Sequence, residues 1–562
     1  ILFRDKINTS TAEEAMMSIA ERYNPQDSRH FRLQALRDIH LRSSGLFTIW
    51  IRVGDIKNLY LFSVIGFLLL LVATNNYILL ATAGSLKRVR ETGIRKVTGA
   101  MSKDLWNQLF VESTLFAFIT FPFALVLVEI TLPRVNQIFG TNIDLYTSNI
   151  HMVLIFLVIT LIVGIISGWY TAVFMSRLSP GDILKDPITS GHKKNIMRRG
   201  LITVQLITFT GLMVSAGFVE RQIHFMLKKD LGYNSENLLK IRIKDNRFKT
   251  NYNAFRQELS QMPGVIAVAG TMWAPPSNSV FSYQIDHPRK PDEKIVLDIV
   301  YVDYNFMETM QFRLTEGRFF SDERGTEEKA IILNETASRL IGPENILGLS
   351  TYLGEIIGIV EDFHIHSLHS PLKPQAFILS PDRVREMIVR VDNEENILAV
   401  TQKIKESYLH FSPDAKISVY SFDSELKDMY YEEIMLRKIL FFFTLVVIII
   451  AALGLFGLSM FLAELRTREI SIRKVHGAGM RHIMYTVIRE FLWLLIVSCL
   501  LAWPASWLLI SRWFRNFPYR VGFTWWIFVL AGLASLVLVF IALLYQSLQA
   551  IRSQPAQSLK YE

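Results

Sequence analysis

Apolar residues gather into seven blocks of roughly 20 residues or more, each long enough to cross a bilayer as a helix. Their approximate limits are 58–82, 106–131, 150–175, 199–218, 436–462, 486–512 and 522–546. Polar residues between the blocks alternate in charge. The loop 83–105 holds Lys87, Arg88, Arg90, Arg95, Lys96 and Lys103; 176–198 holds Arg177, Lys185, Lys193, Lys194 and Arg198; 463–485 holds Arg466, Arg468, Arg473, Lys474 and Arg481. The bias of Lys and Arg toward cytoplasmic loops puts these three inside. The short loops 132–149 and 513–521 carry only Arg134, Arg515 and Arg520. They face outward, as do the amino-terminal stretch and the long segment 219–435.

That long segment has a different period. Strand-like runs such as "LLKIRIK" (238–244), "KIVLDIVYV" (294–302), "EIIGIVED" (355–362) and "EMIVRVD" (386–392) alternate with helical patterns. The clearest helices are "YNAFRQELSQM" ahead of Pro263-Gly264, "NETASRLIG" with Asn334 as its cap, and "NILAVTQKIKESYLH". The expected fold is a multi-span α-helical membrane protein, with seven spans in this chain and a mixed α/β extracytoplasmic domain.

Composition agrees: 51% hydrophobic residues and a mean hydropathy of +0.28 are too apolar for an ordinary soluble chain of 562 residues. The formal charge of +9 would suit nucleic acid only if it formed a stripe on a soluble face, whereas here it sits beside apolar blocks. Nucleic acid is not an expected partner. Cys499 is the single cysteine and lies in an apolar block, so an intramolecular disulfide is impossible. The chain opens on Ile1 without a signal-peptide pattern and reads as an amino-terminal truncation.

One stretch occurs twice. "RETGIRKVTGA" at 90–100 returns as "REISIRKVHGA" at 468–478, and a shift of 378 residues carries Glu91 onto Glu469, Ile94 onto Ile472, Arg95 onto Arg473, Lys96 onto Lys474, Gly99 onto Gly477 and Ala100 onto Ala478. Flanking echoes extend the repeat. Tyr23-Asn24-Pro25 and "LRD" (36–38) match Phe411-Ser412-Pro413 and "LKD" (426–428), and "SPGDILK" (179–185) matches "QPAQSLK" (554–560). The repeating unit is one helix, a large outer domain and three helices. The second copy is whole; the first is expected to lack roughly 180 residues, leaving 1–57 as a remnant.

Each motif reads as an amphipathic helix in a cytoplasmic loop. Leu86, Val89, Gly93, Val97 and Ala100 recur at spacings of three and four. Glu91 to Arg95 and Glu469 to Arg473 form i to i+4 pairs, each contributing about 0.3 kcal/mol. Gly99 and Gly477 suit a left-handed helix stop. Basic charge alone would orient a loop in the membrane. Orientation does not require Glu, Ile, Gly and Ala to recur in register, and a repeated knob implies a repeated socket on a two-fold symmetric partner.

The pattern E-x-x-I-R-K-V-x-G-A after a span resembles the coupling loop of FtsX-like and MacB-type ABC transporter permeases. "NLLKIRI", "MPGVIAVAGT", "VDYNFMETMQFRLTEGRFF", "AIILNETASRLIG" and "IIGIVEDFHIHSLHSP" likewise resemble the MacB-like periplasmic core in the family's usual order. The resemblance implies a fused double unit. It comprises the remnant of a first core domain (1–57), a first FtsX-like three-helix unit (58–185), a linker and fourth helix (186–218), a second MacB-like core domain (219–435) and a second three-helix unit (436–562). It further implies that Glu91, Ile94, Arg95, Lys96, Gly99, Ala100, Glu469, Ile472, Arg473, Lys474, Gly477 and Ala478 form ATPase-coupling loops. Two copies of a separate ATP-binding subunit would grip them in the bacterial inner membrane, with a periplasmic adaptor or cell-wall enzyme as a further possible partner. The chain has no G-x-x-x-x-G-K-[ST] phosphate loop, so ATP is expected on the partner, with no cofactor and no catalytic residue in this chain. A receptor of the same fold, signalling inward without transport, is the competing reading.

Other candidates are weaker. His364, His366 and His369 stand near Glu361 and Asp362, and His364 and His366 would share a strand face, but the spacing matches no standard metal motif. "WAPPSNS" (273–279) reads as a surface turn or, less readily, a recognition loop. Asn75, Asn76, Glu112 and Gln205 are polar residues in spans, as ion pathways use. The orientation is testable in a Cys499→Ser background. Single cysteines at Thr141 and Ser279 should react with an impermeant maleimide in intact spheroplasts, and cysteines at Ser102 or Gly191 should not; the reverse labelling would invert the topology.

Overall fold

The structure, a computed structural model, describes residues 9–23, 32–43, 54, 56–87, 91, 94–95, 97–99, 101–145, 150–176, 192–245, 248–277, 280–322, 330–342, 345–392, 397–475 and 480–552. Two compact units divide at Val64 and Ile65. The smaller contains helix α1 (Thr9–Tyr23) and a short helical turn over Leu36–Arg42. There the Leu33 N–H donates to the Glu13 carboxylate at 2.6 Å, and the Ser43 hydroxyl donates to Gln34. Helix α1 has 15 residues, and the shift of 388 that carries Tyr23-Asn24-Pro25 onto Phe411-Ser412-Pro413 carries it onto Ile397–Phe411, also a 15-residue helix.

Seven long helices are apolar enough to span a membrane. They are α2 (Ile56–Lys87), α3 (Ser102–Phe139), α4 (Ile150–Ser176) and α5 (His192–Lys228), then, beyond the α/β domain, α10 (Tyr431–Val475), α11 (Met480–Phe514) and α12 (Trp525–Arg552). Inside a bilayer each backbone N–H and C=O must bond within its own helix, which is why apolar blocks of this length become unbroken rods. Several rods outrun the blocks. Helix α5 continues ten residues past the expected end at 218, and α10 runs to Val475 through most of the expected loop 463–485.

Between α5 and α10 lies the α/β domain. Its longer helices are α6 (Phe248–Ser260), α7 (Glu335–Ile341), α8 (Ile397–Phe411) and α9 (Phe422–Met429). Its strands are β1 (Leu238–Lys244), β2 (Val265–Thr271), β3 (Phe281–His287), β4 (Lys290–Val302), β5 (Leu314–Gly317), β6 (Ala330–Asn334), β7 (Ser350–Thr351), β8 (Gly354–Val360), β9 (Gln375–Leu379), β10 (Glu386–Val391) and β11 (Lys416–Ser421). One mixed sheet runs in the order β11-β1-β10-β2-β4-β9-β6-β8-β5, with β3 paired to β4 and β7 to β8. The β4–β9 and β6–β8 pairs are parallel.

Alternation in β1 explains one half. Leu239, Ile241 and Ile243 face α6 and α8, where they pack with Phe255, Leu259, Ile404 and Tyr408. Each such buried side chain stabilises the fold by roughly 1.5–3 kcal/mol. Lys240 points to the opposite face and is buried too; its ammonium reaches Glu425 at 2.8 Å, Glu386 at 3.4 Å and the Ala274 carbonyl at 3.0 Å. Asn334 caps α7 as expected, accepting the Ala337 N–H at 2.9 Å.

The two halves of the sheet meet narrowly. Strands β2 and β4 share one register pair, Thr271 opposite Val302. Asp303 clamps this seam: its carboxylate accepts the Tyr252 hydroxyl at 2.5 Å and the Gly270 N–H at 2.7 Å. Burial pushes the Asp303 carboxyl up to about 6, against the hydrogen bonds from Tyr252 and Gly270 that favour its charged form. The folded value lies above that of an unfolded aspartate, so folding favours the protonated acid. This contribution is present at low pH and is lost as pH rises through about 6, amounting to no more than about 3 kcal/mol. The stability advantage of the wild-type chain over Asp303→Asn, read by thermal melting at pH 5 and at pH 8, should therefore shrink as pH rises, because comparison of the two chains removes the contributions of all other titrating groups.

Candidate functional site

The first copy of the repeated motif follows α2. The Arg95 guanidinium bonds Glu91 at 2.5 Å and Gln108 at 3.3 Å, so the i to i+4 pair is formed and tied to the start of α3. Thr98 closes a helical turn, its N–H on the Ile94 carbonyl at 2.9 Å. Gly99 follows with φ +105°, in a region that a side chain on Cα disfavours. The Met101 N–H then bonds the Asp104 carboxylate at 3.1 Å as α3 begins. Ile94, Val97 and Met101 are 60%, 63% and 72% exposed; Ile94 and Val97 are three residues apart, one helical turn, and Met101 lies beyond the break at Gly99.

In the second copy Glu469, Ile472, Arg473 and Lys474 lie on the last turns of α10, so the stretch is helical as expected but continues the span where a loop was expected from 463. The charges there mark water, and nothing in "FLAELRTREISIRKV" breaks a helix. Lys96, Ala100, Gly477 and Ala478 fall outside the described residues, as do the side chains of Glu469, Ile472, Arg473 and Lys474.

At the opposite end of α10 the helices are rooted in the α/β domain. Tyr430, one residue before the helix, is buried, and its hydroxyl accepts the Leu368 N–H at 3.0 Å. The turn between α11 and α12 pushes Phe517 into the same core, beside Met226 of α5, Phe363, Ile365 and Leu368. Its neighbour Tyr519 stacks edge-on with His364, lies under the Lys229 ammonium at 4.7 Å and accepts the Leu372 N–H at 3.1 Å. The buried Gln222 amide of α5 grips the turn from below, donating to the Tyr519 carbonyl and accepting the Val521 N–H, both at 2.9 Å. Burial and the nearby Lys229 push the His364 imidazole down to about 4.

The three histidines do not converge. Strand β8 ends at Val360, so His364 and His366 share no strand face. His366 lies between the Ser277 carbonyl and the Asp298 carboxylate, each at 3.1 Å, and His369 pairs with Glu433 at 3.0 Å. Burial raises the Asp298 carboxyl, but bonds from His366 and Ser282 outweigh it and leave it below the usual range. No cluster of three His, Cys, Asp or Glu able to hold a metal occurs among the described residues. The stretch 273–277 is not a surface turn: Ala274, Pro275 and Pro276 are buried, and the Ser277 N–H bonds Ile365. In the spans, Asn75 donates to the Leu201 carbonyl at 2.7 Å and Asn76 to Ile450 at 3.0 Å, tying α2 to α5 and α10. A Cβ on Gly454 would sit 2.0 Å from the Asn76 side chain, so only glycine permits that approach.

Comparison with known proteins fits this geometry. The FtsX-like permease C-terminal family matches twice, at residues 63–180 and 441–555, and the MacB-like periplasmic core domain family matches residues 207–407 between them. The chain is an ABC transporter permease of the MacB and FtsX type. Its duplication is thus a duplication of the FtsX-like unit, and its α/β domain is the MacB-like core. The periplasmic region of MacB from Actinobacillus actinomycetemcomitans is 12% identical, with 36% of this chain and 97% of that one covered and a TM-score of 0.28. For the extracellular domain of the noncanonic ABC-type transporter YknZ from Gram-positive bacteria, the values are 14%, 32%, 100% and 0.24. For a domain of a permease protein from Porphyromonas gingivalis, they are 12%, 34%, 92% and 0.25. No curated relative matches the chain. The permease is a multi-pass membrane protein whose family works with an ATP-binding partner.

Sequence reading missed Gln222, Phe517 and Tyr519; the aromatic, proline-containing "FPY" in a short loop was their only local signal. Phe517→Ala should cost about 3–5 kcal/mol at this joint. Hydrogen exchange should then quicken across 361–372 while α3 and α4 keep their protection.

Proposed function

We propose that the permease converts ATP hydrolysis by two separate ATP-binding subunits into movement of its extracytoplasmic domain, in the inner membrane of a bacterium. One observation carries this reading: α10 is a single helix of 45 residues, from Tyr431 beside the domain core to Val475 inside the second motif. At 1.5 Å per residue it is about 67 Å long, so displacement at its motif end is delivered to the domain as rod motion. The exposed apolar side chains of Ile94, Val97 and Met101 and the Glu91–Arg95 pair support the grip at the first motif. ATP belongs to the partner, and this chain contributes no catalytic group or cofactor. The output is export of a ligand or force delivered to a periplasmic partner.

Gly99→Val and Gly477→Val should each lower permease-stimulated ATP hydrolysis, and the double variant should abolish it. Ala463→Pro kinks the rod beyond its span and leaves both motifs intact. It should retain the ATPase while losing nucleotide-driven distance changes between the membrane helices and the α/β domain, read by paired spin labels. If the double glycine variant stimulates its ATPase normally, the motifs are only topological anchors. A receptor would co-purify with a kinase or alone, never with a nucleotide-hydrolysing subunit.

A further inference from the structure

The turn from α11 to α12 has a second face. Arg512, Arg515 and Arg520 fall within nine residues, all exposed, with no carboxylate partner among the described residues. The contact of Tyr519 with Leu372 puts them on the same side as the α/β domain, where the orientation bias of membrane proteins disfavours Lys and Arg. Arg512 has a local explanation, since a cation in the last turn of a helix is favoured by the helix dipole. Arg515 and Arg520 have none.

Their setting is specific. Phe523, Trp525 and Trp526 follow immediately and are 62%, 67% and 45% exposed, the aromatic belt that lies at headgroup level. A further cation joins them from α5: Arg221 bonds the Thr524 hydroxyl at 2.5 Å and lies 5.8 Å over the Trp526 ring. The Gln222 amide pins the backbone on both sides of Arg520, at the Tyr519 carbonyl and the Val521 N–H. Tyr519 is thereby turned inward under Lys229 while Arg520 stays exposed. The loop backbone at Arg520 is therefore fixed before a ligand binds, and the ordering cost that remains is that of the arginine side chain.

We propose that this turn binds the phosphate of an anionic membrane lipid in the leaflet on the α/β-domain side. The guanidinium fork matches phosphate oxygens in pairs, and the tryptophans fix the depth at which a lipid phosphate lies. A free phosphate would use the arginines but have no use for the belt. Bound lipid would bridge α11, α12 and α5 at the joint that carries motion outward, whatever drives that motion.

The test is native mass spectrometry of the full chain, released from detergent holding equal phosphatidylglycerol and phosphatidylcholine. The wild type should retain phosphatidylglycerol preferentially. Arg515→Gln with Arg520→Gln should reduce that preference on the order of tenfold or more, since one cation near an anionic surface is worth roughly fivefold. Arg515→Lys with Arg520→Lys should fall between, having the charge without the fork. Both arginines are exposed, so the variants should melt as the wild type does. Arg385→Gln, on the surface of the α/β domain, should change nothing. An unchanged lipid ratio in the double glutamine variant overturns the proposal. So does complete displacement of the lipid by millimolar inorganic phosphate, which would make the site one for soluble anions.

Discussion

Hydrocarbon offers no partner to a backbone carbonyl, and that one fact governs how this permease is built. Every span must satisfy its own hydrogen bonds and so becomes a rod. Rods need not stop where the bilayer does: α5 runs on until Met226 joins the core of the α/β domain, and α10 runs from that core to Val475. The membrane thus enforces stiffness, and chain length beyond the membrane turns stiffness into reach.

Stiff rods transmit motion only if their ends are held. On the outer side Tyr430, Met226 and Phe517 share one apolar core, so α5, α10 and the α11–α12 turn enter the α/β domain as one assembly. The Gln222 amide locks the turn to α5, and a buried amide left unpaired would cost about 1–3 kcal/mol, so the lock opposes slippage as well as separation. Within the spans, the Asn75 and Asn76 bonds to α5 and α10, and the glycine-permitted approach at Gly454, hold the first repeat against the second.

Much of this was legible in the sequence, and the rest was hidden for identifiable reasons. The spans, the strands 238–244 and 386–391 and the Asn334 cap follow from periods and short-range chemistry that a reader of the chain can count. The charges of the motif at 468–478 mark water and so suggest a loop, yet charge does not end a helix and no glycine or proline intervenes before Val475. The histidines suggested a shared strand face because the apolar run before them is a strand, but that strand stops four residues short of His364. The joint itself was invisible: Gln222 and Tyr519 are separated by 297 residues, and no local pattern announces a contact of that range.

The strand ladders of the α/β domain differ in length. The β1–β10 and β1–β11 pairings each run over five or six positions, and β4 lies along β9 over five. Strands β2 and β4 share only Thr271 and Val302, steadied by the Met272 N–H on Tyr301 and the Asp303 N–H on Gly270. The rods enter the core that contains Phe306, Phe312 and Phe377 and that also takes in Leu238, Ala269 and Ile388, so it spans the seam on one face of the sheet, whereas α6 and α8 cover the opposite face of β1, β2 and β10. Few ladder hydrogen bonds cross the seam, so the halves are joined there by this shared core and by the Tyr252–Asp303–Gly270 clamp. A carboxyl whose value lies near 6 makes the clamp sensitive to the acidity of its surroundings. The seam is therefore held by side chains, the buried Asp303 carboxylate among them, rather than by a strand ladder.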